Sequence, residues 1–128
     1  MDIKAGQAWV YRAPAGFEGS RLLVGAVLTF PEGAKIVCCA ASGAPVRQPD
    51  GTAAATTIPF FPMSEVAFVS SVVAPDGAAE LPAAFHPALE TWRADPRGLA
   101  VFTVPFEGSL DRMIALQMAA IIGPEAAA

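Results

Sequence analysis

The stretch SRLLVGAVLTF, residues 20–30, decides the fold because it is apolar at both sets of alternating positions. Successive side chains of a strand point to opposite faces of its sheet. One set is Leu22, Val24, Ala26 and Leu28, and the other is Leu23, Gly25 and Val27. A strand with two apolar faces is covered on both. The sequence therefore predicts a curled sheet with helices against it, or a sheet buried in an oligomer.

Two further strands flank this stretch. AWVYRA (8–13) alternates and carries β-formers, and AKIVCCAASG (34–43) is a second such run. Short turns rich in glycine and proline join both to the central strand, which predicts an antiparallel meander. TAAATTIPFF (52–61) is a fourth strand, placed at an edge because Pro59 cannot donate a ladder hydrogen bond.

The segment SEVAFVSSVVA (64–74) has two interpretations. Ser64 can cap a helix in which Val66, Val69 and Val73 share one face. Its β-branched content keeps a strand open as the alternative.

The remaining pattern completes an α+β fold. It contains a short helix over 87–94, opened by Pro87, a strand over 98–106 and a last helix over 109–122. We predict a curled antiparallel sheet, or partly open barrel, of about five strands with two or three packed helices. Residues 1–123 form one globular domain, and residues 124–128 are a frayed tail.

Composition excludes several function classes. The chain has 128 residues, a net charge of −4 and a pI of about 4.8, so it lacks the basic surface that nucleic acids or anionic lipids need. Its longest apolar runs are about half of the roughly 20 residues that span a bilayer. The first residues, MDIKAGQAW, contain no signal region, so the expected location is the cytoplasm.

The last predicted helix is apolar nearly all round. Leu110, Met113, Ile114, Gln117 and Ile121 form one stripe. Leu116, Met118 and Ile122 lie outside it. A helix of this kind is buried or covers its outer face on a partner. We therefore predict an interface at these three residues, with a protein partner or in a homo-oligomer.

The residues with reactive side chains favour structural roles. Cys38 and Cys39 are neighbours on a strand, so their sulfur atoms point to opposite faces and cannot easily share one metal or substrate. His86 is the single histidine; it could act with Glu90, but an exposed position at a helix start is the simpler interpretation. We predict no metal site, no cofactor and no enzymatic activity.

Aromatic residues at the start of the chain are candidates for a ligand site. Trp9 and Tyr11 share one face of the first strand. With Arg21 nearby on the second strand they could line a pocket. The alternative is that Trp9 and Tyr11 belong to the core, with their polar atoms bonded to neighbouring groups.

Motifs along most of the chain resemble a family of small bacterial proteins without an established activity. Members open with Gly-x-x-Trp-x-Tyr, an acidic turn and Ser-x-Leu, and continue with an x-Pro-x-Ser helix start, a Trp-Arg pair and a Val-Phe-Thr strand. The matching residues are Gly6, Trp9, Tyr11, Glu18, Ser20, Leu22, Pro62 to Ser64, Trp92, Arg93 and Val101 to Thr103. Relatives often carry a histidine before the helix start, where this chain has IPFFP (58–62). The resemblance implies an architecture and no particular function.

These observations favour a small cytosolic protein that acts as a non-catalytic protein-interaction or accessory module, of the immunity type. The alternative is a small-ligand-binding protein with a pocket between the sheet and the helices. An enzyme comes third, since it would depend on His86 with Glu90 or on one of the two cysteines.

Overall fold

A computed structural model describes residues 2–47, 49–94 and 101–103. Five strands and two helices follow one another along this part of the chain. They are β1 (Gln7–Tyr11), β2 (Arg21–Thr29), β3 (Lys35–Arg47), β4 (Ala53–Ser64), α1 (Glu65–Ser71), β5 (Val72–Ala78) and α2 (Phe85–Arg93).

The strands form one open antiparallel sheet in the order β4-β3-β2-β1-β5. The predicted meander is confirmed, since β2 pairs with β1 through Trp9–Leu22 and with β3 through Val24–Cys39. β4 lies at an edge of this sheet, as Pro59 indicated. The α+β class is therefore confirmed.

Both faces of the central strands are buried. Leu22 and Val24 of β2 belong to one apolar core with Phe68 of α1. Leu23 of the same strand belongs to a second core with Phe85 of α2. The two helices thus cover opposite faces of the sheet, as the doubly apolar pattern of residues 20–30 predicts.

A glycine sets how closely α2 approaches the sheet. A Cβ atom at Gly25 would lie 2.2 Å from Cζ of Phe85, far inside van der Waals contact. The Phe85 ring is fully buried and packs at 5.6 Å from the ring of Phe60 on β4. Gly25 is therefore the position in β2 into which α2 inserts its first aromatic ring.

The segment 64–74 combines both of its predicted interpretations. Ser64 accepts a hydrogen bond from the backbone N–H of Ala67 at 3.1 Å and caps α1. The helix ends at Ser71, earlier than predicted, and the chain continues as β5 from Val72. Sequence reasoning missed the second half of β5, where Pro75, Asp76 and Gly77 are typical of a turn.

The described chain returns to β4 at its far end. Phe102 forms a parallel bridge with Met63. The backbone N–H of Ser64 donates to the carbonyl of Phe102, and that of Phe102 donates to the carbonyl of Pro62, both at 2.9 Å. The rest of the strand predicted over 98–106, the helix over 109–122 and the tail over 124–128 lie outside the described residues.

Neither helix in the described part of the chain has the length and apolar character needed to cross a membrane.

Candidate functional site

Trp9 and Tyr11 are core residues. They are 2% and 3% exposed. The indole Nε1 of Trp9 donates to Oε1 of Gln7 at 3.2 Å, and its ring meets Phe68 of α1 edge-on at 5.7 Å. The hydroxyl of Tyr11 lies 2.8 Å from Oγ of Ser20, which donates to a backbone carbonyl of β3. Burial raises the pKa of Tyr11.

Arg21 lies on the opposite face of the sheet from these aromatic residues. It is the register partner of Val10, whereas Leu22 is the partner of Trp9, and paired residues share a face. Its Nε atom contacts Oδ2 of Asp76 at 2.6 Å, and Nη1 donates to the carbonyl of Glu18 at 2.9 Å. The structure therefore does not bring Trp9, Tyr11 and Arg21 together around one cavity.

The two cysteines are buried and point to opposite faces, as predicted. Cys39 belongs to the core under α1 and Cys38 to the core under α2. Both thiols are free and neither is exposed. Burial raises the pKa of Cys38 to about 11 and that of Cys39 well above its ordinary value. Such thiols are poor nucleophiles because they stay protonated near neutral pH.

His86 and Glu90 lie on the outer side of α2, where both are exposed. The imidazole ring packs edge-on against the neighbouring Phe85 at 5.1 Å. Among the described residues, no three histidines, cysteines or carboxylates are grouped so as to hold a metal ion.

Three exposed valines are the most unusual feature of the described exterior. Val66 and Val69 of α1 are 76% and 39% exposed, and Val73 at the start of β5 is 59% exposed. They are the large apolar side chains that stand out to solvent in the described chain. We call these three residues the valine patch. The sequence predicted that all three share one face of a helix; Val66 and Val69 lie on α1, whereas Val73 lies beyond the end of that helix on β5.

The inner side of the same helix is part of the core. Ala67, Phe68 and Ser71 are buried, and the hydroxyl of Ser71 donates to the carbonyl of Ala67 at 2.7 Å. The guanidinium of Arg12 donates to the carbonyl of Ser70 at the end of α1. These contacts anchor α1, which carries Val66 and Val69, to the rest of the protein.

Two open clefts flank α2. One, of about 490 Å³, lies between the sheet and the segment that precedes α2. Its lining consists of Leu23, Ser42, Thr57, Glu80, Leu81, Pro82 and Ala83. The other, of about 410 Å³, lies at the far end of α2 beside Phe30 and Arg93. None of the three ligand-site candidates lines either cleft.

No family model matches the chain, and no curated protein or solved structure matches it. Functional proposals for this protein rest on its own residues. The interface candidates Leu116, Met118 and Ile122 lie outside the described residues and stay predictions.

Proposed function

We propose that this protein is a non-catalytic protein-interaction or accessory module that contacts its partner through the valine patch. The observation that carries the proposal is the exposure of Val66, Val69 and Val73 on a supported helix and strand. Exposed apolar groups that cluster mark sites where proteins associate. A cytosolic location and an immunity-type role accompany this proposal as predictions.

Helix stability does not explain the valines. At an exposed helix position, the helix propensity of valine is less favourable than that of alanine, glutamate or lysine by about 0.5 kcal/mol per residue. Val66 and Val69 therefore weaken a helix of only seven residues without gaining burial. Contact with another apolar surface would give them a stabilising role.

Strand addition is a poor alternative mode of contact. β5 is an edge strand, but Pro75 removes one of its backbone donors. Asp76 on the same strand is engaged by Arg21. Charged and proline residues on an edge discourage pairing with another strand. Side-chain packing on α1 is accordingly the contact mode that we favour.

The connectivity supports a curled sheet, or partly open barrel, with α1 across its mouth. α1 joins β4 to β5, which are the two opposite edges of the sheet. Five strands laid flat would separate these edges by roughly 19 Å, whereas a seven-residue helix is about 10 Å long. Phe68 of α1 also touches Trp9 of β1. In such a barrel the valine patch would form the outer surface of the plug.

Site-specific photo-crosslinking tests the proposal. A photoreactive amino acid replaces Val66 in the full chain, expressed in its own host, and a matched protein carries it at Thr56. Thr56 is exposed on β4 near the opposite end of that strand. We expect a defined crosslinked protein from position 66 and none from position 56. The same crosslinks from both positions would contradict the proposal.

The second candidate function is the binding of a small ligand in the 490 Å³ cleft. Its position between the sheet and the segment before α2 favours it, and it combines the hydroxyls of Ser42 and Thr57 with the carboxylate of Glu80. Native mass spectrometry would show such a ligand as an added mass of a few hundred daltons. Thr57→Trp should remove that mass, whereas Thr56→Trp should keep it.

A further inference from the structure

We infer that the cleft at the far end of α2 binds an extended peptide segment of a partner protein. The peptide adds as a strand to a free edge of β2 and places a carboxylate at Arg93. This site lies beside α2, which covers the opposite face of the sheet from α1. The inference therefore goes beyond the proposed function and does not depend on the valine patch.

The first support is a free backbone edge on an internal strand. β1 pairs with β2 only at residues 21–23, although β2 continues to Thr29. One further hydrogen bond joins the backbone N–H of Gly6 to the carbonyl of Val24, at 2.8 Å. Among the described residues, no backbone group continues this ladder along the rest of β2. The last residues of β2 are therefore paired with β3 on one side and with no strand on the other.

The second support is the direction of the backbone groups at this edge. The N–H of Phe30 donates to the carbonyl of Ala34 at 2.9 Å, so these residues are a hydrogen-bonded pair at the turn between β2 and β3. Hydrogen-bonded and non-hydrogen-bonded pairs alternate along an antiparallel ladder. Thr29 and Val27 occupy the non-hydrogen-bonded positions of the same register. Their N–H and C=O groups consequently point away from β3, where another strand can pair with them.

This edge of β2 lacks the features that protect the edge of β5. Pro75 and Asp76 discourage pairing at β5. Residues 26–29 have the sequence Ala-Val-Leu-Thr, which contains neither proline nor a charged residue. The reasons that disfavour strand addition at β5 therefore do not apply to β2.

The third support is the cleft beside this edge. Its volume is about 410 Å³, within the range of about 300–1,000 Å³ typical of ligand sites. Its lining consists of Val27, Leu28, Thr29, Phe30 and Arg93. Because neighbouring side chains of a strand point to opposite faces, a cleft lined by consecutive residues follows the edge of β2.

The charge in this cleft indicates what the peptide carries. Arg93 is exposed in the last turn of α2. The ion pairs found among the described residues use other cations, namely Lys4, Arg21 and Lys35. A guanidinium group that no carboxylate of the described chain engages favours a carboxylate from a ligand, which it can bind through two parallel hydrogen bonds.

Peptide selection with the purified full chain tests the inference. The probe is a display library of random heptapeptides with free C termini. Selected peptides are synthesised with a fluorescent label at the N terminus, and their binding is measured by fluorescence anisotropy. We expect binders that end in a free carboxylate or contain aspartate or glutamate. Amidation of the C terminus distinguishes these two sources of the carboxylate.

Variants of Arg93 test the role of the charge. Arg93→Gln should weaken binding by about tenfold or more, because it removes hydrogen bonds to a charged group. Arg12→Gln is the matched control, since it removes the same charge from a residue that contacts the end of α1. Its affinity for the peptide should stay unchanged.

Variants of Thr29 test the role of the backbone edge. Thr29→Pro removes an N–H that faces the edge and should weaken binding about fivefold, and proline is tolerated where the N–H makes no ladder bond. Thr29→Ala keeps the N–H and should bind normally. Circular dichroism checks that both variants are folded. If Thr29→Pro does not fold, N-methylation of alternate peptide residues removes the same ladder bonds from the other side.

Four results would overturn the inference. The first is a library that gives no binder, and the second is unchanged affinity in Arg93→Gln together with either backbone test. The third is binding that is lost in Val66→Lys and kept in Arg93→Gln, which would assign the peptides to the valine patch. The fourth is competition by hexanoate as strong as by unlabelled peptide, which would leave a site for small acids. None of these results changes the outcome expected from photo-crosslinking at position 66, so the two proposals fail independently.

Discussion

The two helices cover opposite faces of one sheet, but their outer surfaces differ. α2 buries Phe85 and Leu89 and presents His86, Glu90 and Arg93 to solvent, the usual division for a helix on a sheet. α1 buries Ala67 and Phe68, yet it presents Val66 and Val69. Packing on the sheet accounts for both the buried apolar and the exposed polar side chains of α2. In α1 it accounts only for the buried side chains and not for the exposed valines. This difference locates the function that we propose on α1.

The largest expected change in the free energy of unfolding comes from comparing a buried with an exposed residue of α1. Phe68→Ala removes a fully buried ring that contacts Trp9 and should destabilise the protein by about 3–5 kcal/mol. Val66→Ala should change stability by less than about 0.5 kcal/mol, in the stabilising direction, because alanine is the better helix former. Urea denaturation measures both. A large loss in Val66→Ala would mean that this valine serves the fold rather than a partner.

The next effect tests the docking of α2. Gly25→Ala places a Cβ atom where Phe85 packs and should cost about 3 kcal/mol through overpacking. Gly19→Ala is the matched control, since no atom lies within 4 Å of its added Cβ and its φ is not positive. Equal stabilities of the two variants in guanidinium denaturation would refute the packing described for α2.

The loss of stability at alkaline pH tests the burial of Cys38 in the core beneath α2. The pKa of Cys38 is about 11 in the folded protein, against an ordinary value of 9.0. The unfolded chain therefore loses this proton first, and the stability from the neutral buried thiol is complete below pH 9 and lost between about pH 9 and 11. The loss should be roughly 2–3 kcal/mol. Cys38→Ala should show a shallower alkaline decline; identical slopes would contradict the assignment.

A smaller loss of stability is expected from the hydrogen bond between Tyr11 and Ser20. Tyr11→Phe removes the contact with Ser20 and should cost about 1 kcal/mol. Thermal unfolding with calorimetry measures it. If Tyr11 instead belonged to a ligand site, the variant would lose a bound small molecule while its stability stayed unchanged.

Much of the sheet could be predicted from local pattern. The run from Leu22 to Leu28 indicated a doubly covered strand, and Pro59 placed β4 at an edge. β5 could not be predicted, because Pro75, Asp76 and Gly77 favour a turn and only pairing with β1 makes this segment a strand. Local propensity contains no information about that distant partner.

The candidate site was less predictable than the fold. The pairing of β1 with β2 brings Arg21 close to Trp9 and Tyr11 along the sheet. Side chains alternate between the two faces, however, so Arg21 points to the face opposite the two aromatic rings. The spacing of Val66 and Val69 in α1 was visible, whereas their outward direction depends on Phe68 packing against Trp9 in the core. Periodicity identifies a face of a helix without saying which side the rest of the protein covers.

The most direct test of the central claim is native mass spectrometry of the full chain, purified gently from its own host. It compares the wild type with Val66→Lys/Val73→Lys and with the control Thr56→Lys. We predict that the wild type and the control carry a second protein or further copies of the chain, and that the double variant loses them while remaining folded. An unchanged assembly in the double variant would contradict the account. A wild-type chain that carries only a small added mass would contradict it too and favour the cleft beside α2.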